Sequence, residues 1–326
     1  MPLNPQRTVD ELKELRALTG DENGAQRVAW TEVWTRARAW LRGKLDELPV
    51  EVHNDAAGNT WATLPGASEK VLIIGGHMDS VPNGGWLDGC LNVLAGLEVL
   101  RRMAAEGTPP ITIRLVDWAD EEGATFGRSL FGSSAASGHF DPVELARLKT
   151  RDGDPLPEVV AAHGVDLTTA REAGAELRNA AAYLELHIEQ GPVLEDLGLP
   201  LGVVKGTYGV ERYRIRFKGQ AAHSGSTPMH KRRDALAAAA KLALEIRPIA
   251  IRNGGVCTMG SVTTRPGIPT SVVAECEALL DQRHMDAAVL ARMLAEAQEA
   301  SRRFAEEEKV EVAWEKLWTI EPISFH

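Results

Sequence analysis

The sequence predicts an α/β protein that carries a second, smaller α+β unit. Three observations predict it. Val71–Ile74 is a continuous apolar run, the pattern of a strand buried on both faces of a parallel sheet. A Leu/Val/Ala-rich helix at about Leu91–Met103 and a strand at Ile111–Trp118 follow, so strand and helix alternate as in a βαβ crossover. After Gly209 the order becomes strand, helix, strand, strand, helix within about a hundred residues, enough for a compact unit of its own.

Each element has a local reason. Thr8 with Glu11 three residues on reads as a capping box that opens a helix over Val9–Leu18. A second amphipathic helix covers about Trp30–Leu48 and is closed by Pro49. Val50–His53, a turn at Asp55-Ala56-Ala57-Gly58-Asn59 and Thr60–Leu64 read as a hairpin. Residues His139–Asn179 are polar and helical in pattern, with a loop at 151–155. Tyr183–Gln190 alternates apolar and polar residues, so it is expected to be a strand with one polar face. In the second unit Val210–Lys218, Val256–Gly260 and Val272–Asp281 read as strands, and Asp234–Ile246 and Ala287–Lys309 as helices.

Composition excludes several function classes. The chain has 326 residues, 44% hydrophobic and 25% charged, which fits a folded globular protein of two domains. The count of 36 Lys+Arg against 46 Asp+Glu gives a net charge of −10, the wrong sign for a general nucleic-acid binder. Cys90, Cys257 and Cys276 are far apart and show no CxxC spacing, so a reducing cytoplasm is the expected compartment. The N-terminus turns charged where a signal peptide needs its apolar core, and no stretch approaches the roughly 20 apolar residues of a membrane helix.

The chemistry sits where strands end. Val71–Ile74 runs into Gly75-Gly76-His77-Met78-Asp79, which puts a histidine at the C-terminal end of a central strand, where open α/β sheets place their sites. Asp79 projects to the same side and can accept the other imidazole N–H. Alone, His-x-Asp fits a satisfied core histidine equally well. Asp88 stands just before a helix; it is either an N-cap or a carboxylate that bridges two cations. Ile111–Trp118 ends in Asp120-Glu121-Glu122-Gly123, either a solvated loop or one metal-binding glutamate beside a free general base. His187 lies on the polar side of the third strand between Glu185 and Glu189. Two histidines, an aspartate and a glutamate are donors that suit zinc, manganese or cobalt.

Taken together, His77-Met78-Asp79 through Asp88-Gly89, Glu121-Glu122-Gly123 and His187-Ile188-Glu189-Gln190-Gly191-Pro192 resemble the M20 superfamily of metal-dependent amidohydrolases. The nearest branch is that of the hydantoinases and carbamoylases, and the match runs from about Arg27 to the last residues. The resemblance implies a di-metal amidohydrolase or aminopeptidase-like catalytic domain over 1–209, an inserted lid and dimerisation domain over 210–314, and the start of a return to the catalytic domain over 315–326. It implies that His77, Asp88 and His187 hold one metal, that Asp88 bridges to a second held by Glu122, that Asp79 orients His77, and that Glu121 is the general base. His223, in His223-Ser224-Gly225-Ser226, matches the residue that polarises the scissile carbonyl, often across a dimer. Arg283 matches an arginine that pairs with the substrate carboxylate, and Gln190 adds an amide contact.

Two departures stand out. The family's substrate-binding Asn falls on Thr270, which keeps a hydroxyl but offers no amide. The family's further metal-binding His, in a Gly-His-Asp context, is not matched before the sequence stops, and His326 falls too early to be it. The implied cofactor is two divalent ions (Zn, Mn or Co) in the intact protein, with one held tightly by this chain. The implied reaction is hydrolysis of a linear C–N bond in an N-carbamoyl-L-amino acid, yielding amino acid, CO2 and ammonia. Allantoate or another ureido acid, and then an N-acyl amino acid or dipeptide, are the alternatives. Outside enzymes, the alternative is a truncated, inactive fold that dimerises or binds. A homodimer in the cytoplasm, with neither nucleic acid nor membrane as partner, completes the expectation.

Overall fold

The computed structural model describes residues 2–325, so His326 lies outside the described residues. The chain forms two compact units, Met1–Val193 and Leu194–His326. The division falls ahead of residue 209 because Gly206–Thr207 pairs with Ile323–Ser324 and Lys205 accepts the Phe325 N–H. Residues 315–320, expected to begin a return to the first domain, instead continue a strand of the second unit.

The first unit opens with α1 (Pro5–Thr19), whose N-cap is Asn4, not the expected Thr8. Pro5 presets the first helical φ and starts the helix a turn earlier, while the Asn4 side chain accepts the Arg7 N–H at 3.2 Å. Glu11 is therefore free of capping and forms a bidentate pair with buried Arg101, both contacts at 2.8 Å. The second helix, α2, runs Glu32–Leu45 behind the cap Thr31, shorter at both ends than expected. The expected hairpin is β1 (Glu51–Asn54) and β2 (Thr60–Leu64). Next come β3 (Val71–His77), α3 (Cys90–Glu106), β4 (Thr112–Trp118) and β5 (Ala180–Leu184). Short helices fill the segment between β4 and β5.

The five strands lie in the order β1-β2-β4-β3-β5, and β3 runs parallel to both its neighbours. His77 pairs with Trp118 at the shared C-terminal end. Val93, Leu94, Leu97 and Leu100 on α3 are fully buried in a cluster with Ile74, Ile113 and Leu115. Burial of such a side chain is worth about 1.5–3 kcal/mol, so this crossover anchors the end of β3 that carries the histidine.

The strand expected over Tyr183–Gln190 is displaced. It ends at Leu184, opposite Ile74, and residues 185–189 leave the ladder. The alternation of Glu185, His187 and Glu189 is thus not a strand face.

The second unit contains β6 (Gly209–Lys218), α4 (Ala235–Asn253), β7 (Val256–Arg265), β8 (Glu275–His284), α5 (Ala287–Glu308) and β9 (Glu311–Ile320). Its sheet is antiparallel in the order β7-β8-β6-β9. Tyr213, Ile215 and Phe217 bury one face in a cluster with residues of the two helices, while Arg212, Arg214 and Arg216 alternate onto the other.

Arg114 of β4 ties the segment before β5 to the sheet. It donates to the Glu176 carbonyl at 2.8 Å and to the Glu176 carboxylate, and His53 reaches the same carboxylate at 2.9 Å. Burial raises the Glu176 pKa, but the hydrogen bonds from His53 and Arg114 outweigh it and leave the net value below the ordinary 4.5. A depressed carboxylate contributes stability that is complete above its unfolded pKa and is lost as pH falls through the folded one. Glu176→Gln is expected to cost about 1.5–3 kcal/mol at neutral pH, with the difference from wild type closing once the pH drops below 4.5. Urea melts of both proteins across that range check it.

Candidate active site

The site is assembled at the C-terminal ends of β3 and β4. His77 is 3% exposed. Its Nδ1 lies 3.0 Å from the Asp79 backbone carbonyl and 3.5 Å from the Asp79 carboxylate. Orientation of the ring thus comes first from the Asp79 main chain. The Asp79 side chain is engaged elsewhere, because its two oxygens accept the Glu121 N–H at 3.2 Å and the Glu122 N–H at 3.1 Å.

The ring nitrogen left over, His77 Nε2, faces Glu121 Oε2 at 3.7 Å. His187 repeats the arrangement, with Nδ1 on the Ile188 carbonyl at 2.6 Å and Nε2 3.7 Å from Asp88 Oδ1. A histidine whose one nitrogen is fixed by a carbonyl presents the other as a ligand.

Asp88 is not a helix cap. The N-cap of α3 is Gly89, with no side-chain capping bond. Asp88 Oδ1 is buried and has no hydrogen-bond partner among the described residues, an arrangement that costs free energy unless something cationic faces it. Its Oδ2 accepts from Gln190 at 2.6 Å, so the amide expected to touch substrate is engaged by the expected bridging carboxylate. Among the described residues no three His, Cys, Asp or Glu side chains close on one point as they stand. The orphaned Asp88 oxygen and the two outward Nε2 atoms nevertheless fit a divalent cation in donor type.

Electrostatics reflect the crowding. Burial lowers the His77 pKa, but Asp79, Glu121 and Glu122 together push it up to about 10. Burial raises Glu121 and Glu122 above the ordinary glutamate range despite the nearby His77. Asp120, at left-handed φ 52°, accepts from Trp30 Nε1 at 2.7 Å and from the Gly123 N–H at 3.1 Å. Burial and the Asp79 charge lift it to about 7.

The second unit brings two expected residues together and separates the third. Ala222–His223 pairs with Ser271–Val272, and the Ser224 N–H donates to the Thr270 carbonyl at 3.0 Å. His223 Nδ1 accepts the Gly225 and Ser226 N–H groups, both at 3.1 Å, so its exposed Nε2 is the donor of the neutral ring. Arg283 stands at the far end of β8, roughly 27 Å along the strand from Glu275 at 3.4 Å per residue. Its guanidinium is not vacant: Asp281 takes Nε at 2.7 Å and Nη2 at 3.3 Å, and shares itself with Arg212 at 2.9 Å. Burial raises the Asp281 carboxyl, but the two guanidinium groups outweigh it and hold it below the ordinary range.

Sequence reasoning offered Glu185 as a carboxylate flanking His187 but missed its partners Asn92 and Tyr183, and it missed the reach of Asn59, whose Oδ1 accepts the Ala119 N–H at 2.9 Å ahead of the Glu121 turn. An amide on the apolar stretch of α3 was the available signal for Asn92, and Asn59 was marked only as a turn residue.

A buried histidine with a carboxylate beside it at the ends of parallel strands, and an aspartate oxygen buried without a hydrogen bond, have the donor chemistry of a metal-assisted hydrolytic site. The chain belongs to peptidase family M20/M25/M40, whose description matches residues 73–311. It is 35% identical over 306 residues to an N-carbamoyl-L-amino acid amidohydrolase of Geobacillus stearothermophilus, covering 92% of this chain and 74% of that one. It is 32% identical to an allantoate amidohydrolase of Escherichia coli (strain K12), covering 82% of this chain and 66% of that one. A crystal structure of a hydantoinase/carbamoylase family amidase from Burkholderia multivorans superposes with a TM-score of 0.89 at 31% identity, covering 99% of this chain and 79% of that one. The chain is accordingly an enzyme of the class that hydrolyses non-peptide C–N bonds, and its family depends on divalent metal ions. Among the described residues no helix is long and apolar enough to cross a membrane.

Gly89, next to Asp88, lets the chain pack directly against His77. At φ 66° a Cβ there would lie 2.3 Å from the His77 carbonyl and 2.5 Å from its ring. Gly89→Ala is expected to cost about 1–3 kcal/mol from the φ alone and to weaken metal uptake, as a thermal melt and metal analysis after dialysis would register.

Proposed function

We propose that this enzyme hydrolyses the linear C–N bond of N-carbamoyl-L-amino acids, yielding amino acid, CO2 and ammonia. The observation that carries the reading is Asp88 Oδ1, buried without a hydrogen bond and 3.7 Å from His187 Nε2, in a chain 35% identical to an N-carbamoyl-L-amino acid amidohydrolase. His77, Asp88 and His187 would hold a divalent ion, and Glu122 with Asp88 would offer a second position. When bound, such ions polarise the carbonyl and lower the pKa of water.

The chain's own residues do the rest. Glu121 takes a proton from the water whose oxygen attacks the carbonyl carbon, and passes it to the leaving nitrogen as the C–N bond breaks. Asp79 keeps Glu121 in place through its backbone N–H. His223 donates from Nε2 to the carbonyl oxygen, Thr270 offers a hydroxyl to the substrate, and Arg283 binds its carboxylate. Gln190 must leave Asp88 before it can contact substrate.

The length of β8 supports a homodimer, because His223 and Arg283 of one copy are too far apart to serve one small substrate. Free Cys90, Cys257 and Cys276 suit a reducing cytoplasm.

Glu121→Gln is expected to lower kcat by about 10²–10⁴-fold with metal content unchanged. Full activity in a metal-loaded mutant would remove Glu121 from the role. Substituting Arg283→Lys should raise KM for substrates with a free carboxylate, since lysine lacks the planar fork. Assays of N-carbamoyl-L-amino acids beside allantoate measure both effects and rank the substrates.

A further inference from the structure

Backbone pairing does not explain how His187 reaches Asp88. The ladder between β3 and β5 stops at Ile74 and Leu184, and His187 lies three residues beyond it. Past the last rung, side-chain contacts take over. Glu185 Oε1 accepts from Asn92 Nδ2 of α3 at 2.5 Å, and Glu185 Oε2 accepts from the Tyr183 hydroxyl at 2.6 Å. That hydroxyl in turn accepts from Trp118 Nε1 of β4 at 3.2 Å. Glu185 is thereby tied to α3 on one side and, through Tyr183, to β4 on the other.

Asn92 is an expensive residue at this place. It is 3% exposed on a helix otherwise packed with leucine and valine, and its Oδ1 is buried without a hydrogen-bond partner among the described residues. Room for it is made by Gly76, where a Cβ would sit 2.6 Å from both Asn92 Cβ and Nδ2. Gly76 directly precedes His77, and Asn92 comes one helical turn after Asp88. The same amide therefore touches the approach to one expected ligand and the support of another.

We infer that Asn92 and Glu185 form a positioning clamp, which holds the segment carrying His187 against the site so that its Nε2 meets Asp88. This rests on the metal-site reading above. Neither residue is assigned a contact with metal or substrate; both act through His187. Loss of either should loosen the segment after Leu184, which Gln190 still ties to Asp88 at 2.6 Å. A residue that only orients a metal ligand typically contributes about 10–100-fold in metal affinity.

The test uses the full 326-residue chain, stripped of metal and titrated with Zn²⁺ against a chelating dye. Wild type is compared with Asn92→Ala, Glu185→Ala and the double substitution, with circular dichroism and thermal melts alongside. Each single substitution is expected to weaken Zn²⁺ binding by about 10–100-fold, and the double to lose no more than the worse single, because both break one contact. Co²⁺ spectra should report the loss of an imidazole donor in each variant. If Asn92→Ala does not fold, Glu185→Ala, at an exposed residue beyond the ladder, carries the test alone. Folded variants that bind Zn²⁺ as wild type does, or losses that add in the double, overturn the clamp. A wild-type chain that takes up no Zn²⁺ overturns the metal reading itself, and the clamp with it.

Discussion

Asp79 is 1% exposed, yet each of its carboxylate oxygens takes a backbone N–H from the turn after β4, and its own carbonyl lies against His77 Nδ1. Parallel strands have no hairpin to fix their ends relative to one another. Here one buried side chain supplies that fixing: β3 delivers His77, β4 delivers Glu121 and Glu122, and Asp79 sets their separation. Without it two main-chain donors would lose their acceptor, and the carboxylates would lose their registration with the histidine. Burial of a charge is tolerated because the N–H groups face both oxygens.

A second tie runs to the hairpin. Asp55 accepts from the Ala57 and Asn59 N–H groups and from Asn59 Nδ2 and Trp61 Nε1, which makes the turn rigid. Asn59 Oδ1 then takes the Ala119 N–H, one residue before Asp120. The antiparallel edge of the sheet is thus coupled to the turn that carries Glu121, although no residue of the hairpin is a candidate for chemistry.

Local patterning accounts for the part of the fold that was legible in the sequence. The apolar run at Val71–Ile74, the α3 crossover and the Asp55–Asn59 turn stand where periodicity and turn chemistry put them. The failures are tertiary. Thr8 and Glu11 have the spacing of a capping box, but Pro5 and Asn4 begin the helix earlier and Arg101, ninety residues away, claims Glu11. The alternation at Tyr183–Gln190 suggested a strand, yet only its first two residues belong to one, because side-chain bonds replace the ladder after Leu184. The motif residues at β3 and β4 could be named from sequence, since a strand end fixes where they point. That Asp88 is not a cap, and that Gln190 rests on it, depends on a chain segment about a hundred residues away and could not be read locally.

The pairing of Arg283 with Asp281 has a consequence for what β8 can recognise. A carboxylate that arrives from solution meets an internal rival, tethered two residues away and therefore present at high effective concentration. Discrimination is then an exchange of one anion for another rather than a gain over water. Asp281 can let go without becoming an isolated charge, because Arg212 still holds it at 2.9 Å. Neutral molecules have nothing to offer in that exchange. For the carboxylate binding proposed for Arg283, the fork would set a threshold, favouring anions whose geometry matches its own tethered occupant and releasing them as that occupant returns.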